Sequence, residues 1–216
     1  PSVLNDTIKD NNFYIFAIKN YTMIEKIKNN PKLKRIVLWL ISSEKDPKPR
    51  LWVKLFVNPF FHHKGKGTLF RKRHARHDLF PWHKFDVGND TVIEDYTLLN
   101  NGAGDLIIGK DAFIGIGTVI IGPVKIADKV LMGQRVFIAG FNHNYNDINL
   151  NYKESGLTIK EVTIGRESFL GTNSIVVAGV SIGEHVHIGA GSVVTKDIPS
   201  YTIAAGNPAK VIKRYD

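Results

Sequence analysis

The pattern of apolar and polar positions divides the chain into two unlike parts. From Tyr21 to Ser43, the residues Ile24, Ile27, Leu33, Ile36, Val37, Leu40 and Ile41 recur at three- and four-residue spacing. That is the period of an amphipathic helix. Pro31 is compatible with such a run only as a break or as the start of a second piece. A polar, Pro-containing link follows from Glu44 to Pro49. Leu51 to Phe61 is a second apolar stretch of helical character, with Trp52, Leu55 and Phe56 on one side. Gly65 to Leu79 reads as extended chain.

From Val87 the period becomes six. An aliphatic residue or Met stands at Val87, Ile93, Leu99, Ile108, Ile114, Ile120, Ile126, Met132, Ile138, Ile164, Leu170, Val176, Ile182, Ile188 and Val194. The next residue is Gly in eight of these fifteen hexads, and the residue four later is Ser, Thr, Ala or Val in thirteen. Three positions in agreement identify stacked units sharing one core. Six residues are too few for a helix pair but fit one short strand and a corner. The apolar residue points inward, the small residue fills the corner, and Gly or a polar residue supplies the bend. Three sides close one coil, so the fifteen hexads predict a parallel β-helix of about five coils. Two breaks interrupt the register, one of three residues near Gly104 and a long one after His143.

Composition narrows the chemistry. The 216 residues are 43% apolar, which excludes wholesale disorder. There is no cysteine, so disulfides, thiolate metal sites and a cysteine nucleophile are excluded. The densest apolar run, Ile36 to Ile41, is far shorter than the roughly 20 residues that cross a bilayer. The expected location is the cytoplasm.

Charge is uneven. The chain has 29 Lys and Arg against 20 Asp and Glu. Pro47 to His77 contains nine of those cations and no acid, so the net charge of +9 lies in this one segment. A field of this kind attracts phosphates, acidic glycans or anionic lipid, and is also the make-up of a merely solvated basic face. No recognition helix, RNA-binding strand signature or zinc finger accompanies it, so nucleic acid is not an expected partner.

The hexads resemble the left-handed β-helix, hexapeptide-repeat acyltransferases. Ile182 to Pro199 (IGEHVHIGAGSVVTKDIP) and Ala205 to Ile212 (AGNPAKVI) carry the resemblance most specifically. They are most similar to sugar O-acetyltransferases of the galactoside and maltose type and to acyltransferases of capsule, lipopolysaccharide and colanic-acid pathways. The resemblance implies a mainly β protein. Its expected parts are an α-helical and extended N-terminal region (1–84), a left-handed β-helix (85–200) with a catalytic loop (141–161), and a tail (201–216). It also implies a homotrimer that binds acetyl-CoA between subunits, takes a sugar or glycan acceptor and needs no metal. His185 and His187 do not reproduce the metal-binding pattern of carbonic-anhydrase relatives.

The loop opens with Asn142 and His143, in the place of the family's catalytic histidine. An imidazole is largely neutral at pH 7, so it can take the proton of a sugar hydroxyl as the oxygen attacks a thioester. The resemblance assigns Thr172, Ala190, Thr195, Lys196, Lys210 and Lys213 to acetyl-CoA. It assigns Asn100, Asn101 and Asn142 to the acceptor; a simple turn accounts equally well for Asn100 and Asn101. Three alternatives stay open: N-acetylation of a nucleotide-linked amino sugar, acetylation of a xenobiotic, and a non-catalytic trimeric scaffold. The Leu33 to Ile41 helix, led by Lys32, Lys34 and Arg35, is expected to pack against the end of the coil, with peripheral contact to an anionic membrane as the other reading.

Overall fold

The computed structural model describes residues 29–42, 48–145, 149–151 and 154–215. The helical spacing between Tyr21 and residue 28, and the link 43–47, lie outside the described residues. The chain forms two compact units, Pro1–Leu51 and Trp52–Asp216.

In the first unit, helix α1 (Pro31–Ile41) starts at the proline. Pro has no N–H to satisfy at that position, and the Asn30 side chain accepts from the Leu33 N–H at 3.0 Å. No residue of α1 is buried.

The second unit opens at Trp52, within the short helix α2 (Leu51–Phe56), and continues through a 3-10 turn (Asn58–Phe60). A parallel β-solenoid of six turns follows, with three faces. The first face stacks His62–Lys64, Phe85–Val87, Leu106–Ile108, Val124–Ile126, Val162–Ile164 and Ser181–Ile182. The second stacks Leu69–Phe70, Val92–Ile93, Phe113–Ile114, Leu131–Met132, Phe169–Leu170, His187–Ile188 and Thr202–Gly206, closed by an antiparallel Ala209–Arg214. The third stacks Arg76–Asp78, Leu98–Asn100, Val119–Ile121, Phe137–Ala139, Ile175–Val176 and Val193–Val194.

All fifteen periodic aliphatic residues are buried, none more than 2% exposed. They form one continuous core along the axis. The two breaks are absorbed locally. Leu106 and Val162, fully buried, take the corner position that Ala103 and Asn142 miss. Several buried hydroxyls at the corners donate to glycine carbonyls of the next turn, as Thr91 Oγ1 does to Gly109 O at 2.7 Å and Ser168 Oγ to Gly183 O at 2.9 Å, and others to carbonyls of their own turn, as Ser192 Oγ does to Gly189 O at 2.6 Å. Small polar residues thus fill these corners with most buried donors paired; the buried Ser174 Oγ has no partner among the described residues.

The solenoid has one more turn than the period suggests. Its first turn pairs Lys64 with Val87, Phe70 with Ile93 and His77 with Leu99. These three occupy the positions that hold aliphatic residues elsewhere, so the hexad signal is absent from a turn that is structurally equivalent. The Lys64 ammonium lies 4.9 Å from the centre of the Phe70 ring, and the His77 ring meets the same phenyl edge-on.

The hexad glycine has a different task from the one its chemistry suggested. The bend comes two residues later, where Asp90, Asp111, Lys129, Arg135, Glu167, Asn173 and His185 all take left-handed φ between 51° and 57°, or 58° at Asn173. The glycine instead makes room for the turn below. A Cβ on Gly115 would sit 2.3 Å from Gly133 O. Close stacking of backbones, not conformational freedom, selects glycine there.

His77 is held neutral in this first turn. Burial is the main cause that lowers its pKa to about 4, and repulsion from Lys72 and Lys54 adds to it against the opposing charge of Asp78. An unfolded chain would take up that proton near the ordinary histidine range, so the stabilisation is complete above about pH 6.5 and is lost as pH falls toward 4. Stability is expected to drop by about 2 kcal/mol between pH 7 and pH 5 through this group. Urea unfolding of His77→Phe should show a correspondingly smaller drop; an equal drop in both proteins would remove His77 as the cause.

Candidate active site

The third face orders the candidate residues. Its strands run from a leading corner, shared with the second face, to a trailing corner, shared with the first. Asn100 ends the strand Leu98–Asn100 at the trailing corner. Asn142 and His143 follow Phe137–Ala139 at the same corner, two strands further along the stack, and Thr195 and Lys196 follow Val193–Val194 two strands further again. At about 4.8 Å per strand these steps are each about 10 Å along the axis. One edge therefore carries Asn100, the His143 loop and the Thr195–Lys196 pair in line.

The loop is not structureless. Phe141–His143 pairs antiparallel with Leu157–Ile159, setting Asn142 opposite Thr158 and His143 opposite Leu157. The hairpin is tied at its base by Lys160 N–H donating to Gly140 O at 2.9 Å. Higher up, Asn144 Nδ2 donates to Ser155 O at 2.9 Å and Thr158 Oγ1 donates to Asn144 Oδ1 at 2.6 Å. Alternation in a strand places Asn142 and His143 on opposite faces of the hairpin. Phe141 lies on the His143 face, with its ring edge-on at 6.0 Å. His143 is exposed, and so are Tyr145, Leu150, Leu157 and Ile159 around it.

The loop leaves the coil at a tight point. A Cβ on Gly140 would lie 2.3 Å from Pro123 O, and one on Gly104 would lie 2.6 Å from Pro123 Cβ. Pro123 is thus wedged between the two glycines that flank the two register breaks. Sequence reasoning passed over Pro123, although the breaks on either side of it were a signal.

Asn101 requires a correction. It is fully buried, and its amide is spent on the chain below. Its Oδ1 accepts from Phe80 N–H at 2.6 Å, and its Nδ2 donates to Phe80 O at 3.0 Å and His83 O at 2.9 Å. It fixes the connection from Phe80 to Lys84 and has no face left for a sugar. Asn100 is half-buried and accepts from Gly102 N–H at 2.6 Å.

The remaining candidates stand elsewhere. Thr172 and Ala190 precede the third-face strands Ile175–Val176 and Val193–Val194, so they line the leading corner. Thr172 Oγ1 donates to Gln134 Oε1 at 2.7 Å, a partner that the hexad pattern did not single out. Lys210 pairs with Ala205, whose Cβ lies beneath Gly189 at this same corner, and Lys213 pairs with Ile203. Ala190 to Thr195 spans one side of the coil, about 16 Å of extended chain. One copy therefore separates Thr172, Ala190 and Lys210 from His143, Thr195 and Lys196.

His185 and His187 lie on the second face beside a groove of about 330 Å³ lined also by Glu167, Phe169, Tyr201 and Tyr215. His185 Nε2 is 3.1 Å from Glu167 Oε2 and its ring stacks on Tyr201, while His187 leans on Phe169. Glu184 accepts from Tyr201 Oη and from Arg166 Nε, each at 2.8 Å, and these bonds lower its pKa. Among the described residues, no three His, Cys, Asp or Glu side chains are placed to share a metal ion.

Residues 105–138 and 161–196 match the family model described as the hexapeptide repeat of succinyl-transferase. A Mycobacterium tuberculosis protein named as a probable acetyltransferase is 33% identical over 151 residues, which are 69% of this chain and 48% of that one. The chain thus spans about half the length of that relative. The galactoside O-acetyltransferase of Escherichia coli is 29% identical over 160 residues, covering 69% of this chain and 77% of the enzyme. Among solved structures, AntD, an N-acyltransferase from Bacillus cereus in complex with dTDP and 3-hydroxybutyryl-CoA, shares the fold with a TM-score of 0.62 at 21% identity, over 76% of this chain and 88% of that one. A maltose O-acetyltransferase from Clostridium difficile 630 gives a TM-score of 0.52 at 24% identity, over 88% of each chain. The six-turn solenoid thus carries the hexapeptide repeat, and over about two thirds of its length the chain is similar to proteins named as acetyltransferases.

Proposed function

We propose that this chain is an acetyl-CoA-dependent O-acetyltransferase that acts on a sugar hydroxyl, in a precursor of a bacterial surface polysaccharide. The observation that carries the reading is the trailing edge of the third face. There a hairpin presents an exposed histidine midway between Asn100 and the Thr195–Lys196 pair. Asn100 orients the acceptor hydroxyl. His143 takes its proton as the oxygen adds to the thioester carbonyl, and returns that proton to the thiolate as the carbon–sulfur bond breaks. Thr195 and Lys196 hold the donor on the other side of His143, and Asn142, on the far face of the hairpin, steadies the acceptor. The acetyl-CoA in this reading is a substrate, matching the acyl-CoA ligand named for AntD.

The separation of the two corners supports a homotrimer. Thr172, Ala190 and Lys210, with Lys213 on the adjoining strand, reach the donor only when the leading corner of one copy faces the trailing corner of the next. The exposed apolar side chains of the hairpin are then covered by that neighbour. Light scattering should give three times the 24.2 kDa chain mass; a monomer at working concentration would contradict the shared groove.

AntD supports a second reading, in which an amine of a nucleotide-linked sugar is the acceptor. The two differ in their product. Mass spectrometry of the acetylated sugar before and after mild alkali should show the acetyl group removed, as for an ester. A product that survives the treatment would establish an amide and overturn O-transfer.

A further inference from the structure

We propose that the end of the solenoid formed by residues 52–78 is a docking surface for an anionic lipid bilayer. A segment that merely sealed the end of the core would turn its apolar side chains inward. Here only Val53 of helix α2 does so, while Asn58 Nδ2 anchors the segment by donating to Leu79 O at 2.7 Å. Leu55, Phe56 and Phe60 face solvent, 57%, 70% and 80% exposed. Large apolar side chains in such a cluster mark a binding surface.

The charge beside this patch chooses the occupant. No Asp or Glu occurs between Pro47 and His77. The first acid, Asp78, is buried and paired with Arg76. Three of the four acids on the adjoining turn are engaged, Asp86 with His63, Glu94 with Arg71, and Asp95 with the Arg73 backbone N–H; the fourth, Asp90, is exposed beside Gly67 and is outnumbered by the cations around it. Lys54, Lys64, Lys66, Lys72 and Arg73 have no carboxylate within ion-pair distance among the described residues. Aromatic and aliphatic side chains flanked by unneutralised cations are the make-up of an interfacial membrane contact, in which apolar groups enter the headgroup boundary and cations meet anionic lipid. Helix α1, taken by itself, has the same composition: Ile36 and Trp39 are exposed, Lys32, Lys34 and Arg35 lead it, and it contains no acid. The proposal holds whether or not the trailing edge transfers acetyl.

The test is flotation of the full chain with vesicles of equal parts phosphatidylglycerol and phosphatidylcholine at low salt. The chain should rise with these vesicles, stay at the bottom with pure phosphatidylcholine, and be released by high salt, which screens the headgroup attraction. The double substitution Phe56→Ser and Phe60→Ser, at exposed positions, should lower the bound fraction at least tenfold with an unchanged melting temperature. Three results would overturn the proposal: no flotation with anionic vesicles, undiminished flotation of the double variant, or dissociation by that variant of an assembly that the parent chain forms. The last would make the patch an interface between copies.

Discussion

His143→Ala is expected to lower the turnover number for acetyl transfer by about 10²- to 10⁴-fold, the usual contribution of a positioned general base. The size follows from what the substitution leaves intact. His143 is exposed on a hairpin whose pairing is backbone to backbone, and the ties from Asn144 to Ser155 and Thr158 do not involve the imidazole. The melting temperature should therefore hardly move. Thr195 and Lys196 are two strands away, so the KM for acetyl-CoA should change little. A fall in turnover number without a matching rise in KM is the signature of an interaction made in the transition state. Turnover within threefold of the parent chain would show that another group takes the proton.

Gly165→Val is expected to destabilise the solenoid by about 3 kcal/mol or more, at the upper end of overpacking costs. A Cβ at this position would lie 2.3 Å from Gly183 C and 2.4 Å from its carbonyl oxygen. Both are backbone atoms of the next turn, so relief requires the two turns to part and the ladder between Thr163–Ile164 and Ser181–Ile182 to stretch. Gly191 provides the contrast. No atom lies within 4 Å of its built Cβ, but its φ is +68°. Asn tolerates that region, so Gly191→Asn should be nearly neutral in chemical denaturation. Equal costs at the two sites would mean that backbone freedom, not clearance between turns, explains the hexad glycines.

The sequence disclosed the solenoid because one face of every strand is buried against a single axis. A six-residue period over fifteen inward aliphatic side chains leaves no competing register. The first turn escaped notice because Lys64, Phe70 and His77 take those places. It lies at an open end, where a lysine stem and two rings close the core in place of aliphatic side chains. The long loop was legible as an interruption, but its hairpin was not. Leu157 to Ile159 is too short a run to announce a strand, and its pairing depends on the distant Phe141 to His143. The candidate site residues were legible one by one, and their arrangement was not. The resemblance singled out Thr172, Ala190 and Thr195 separately, and only the stacked coil shows that the first two precede a third-face strand and the last follows one, at opposite corners. Asn101 misled because the same amide can clamp backbone or hold a sugar, and its backbone partners, Phe80 and His83, lie about twenty residues back in the chain.

The central claim, that the trailing edge supports acetyl transfer from acetyl-CoA to a sugar hydroxyl, is tested most directly by following thiol release. The chain has no cysteine, so every reacting thiol in a dye assay comes from CoA. Acetyl-CoA and the parent chain are combined with a panel of sugars and glycan fragments, each with a control lacking acceptor. The expected result is thiol release that depends on one class of acceptor and matches the ester formed. Failure to bind acetyl-CoA at all, in a chain shown to be folded and trimeric, would contradict the claim and leave the solenoid as a scaffold.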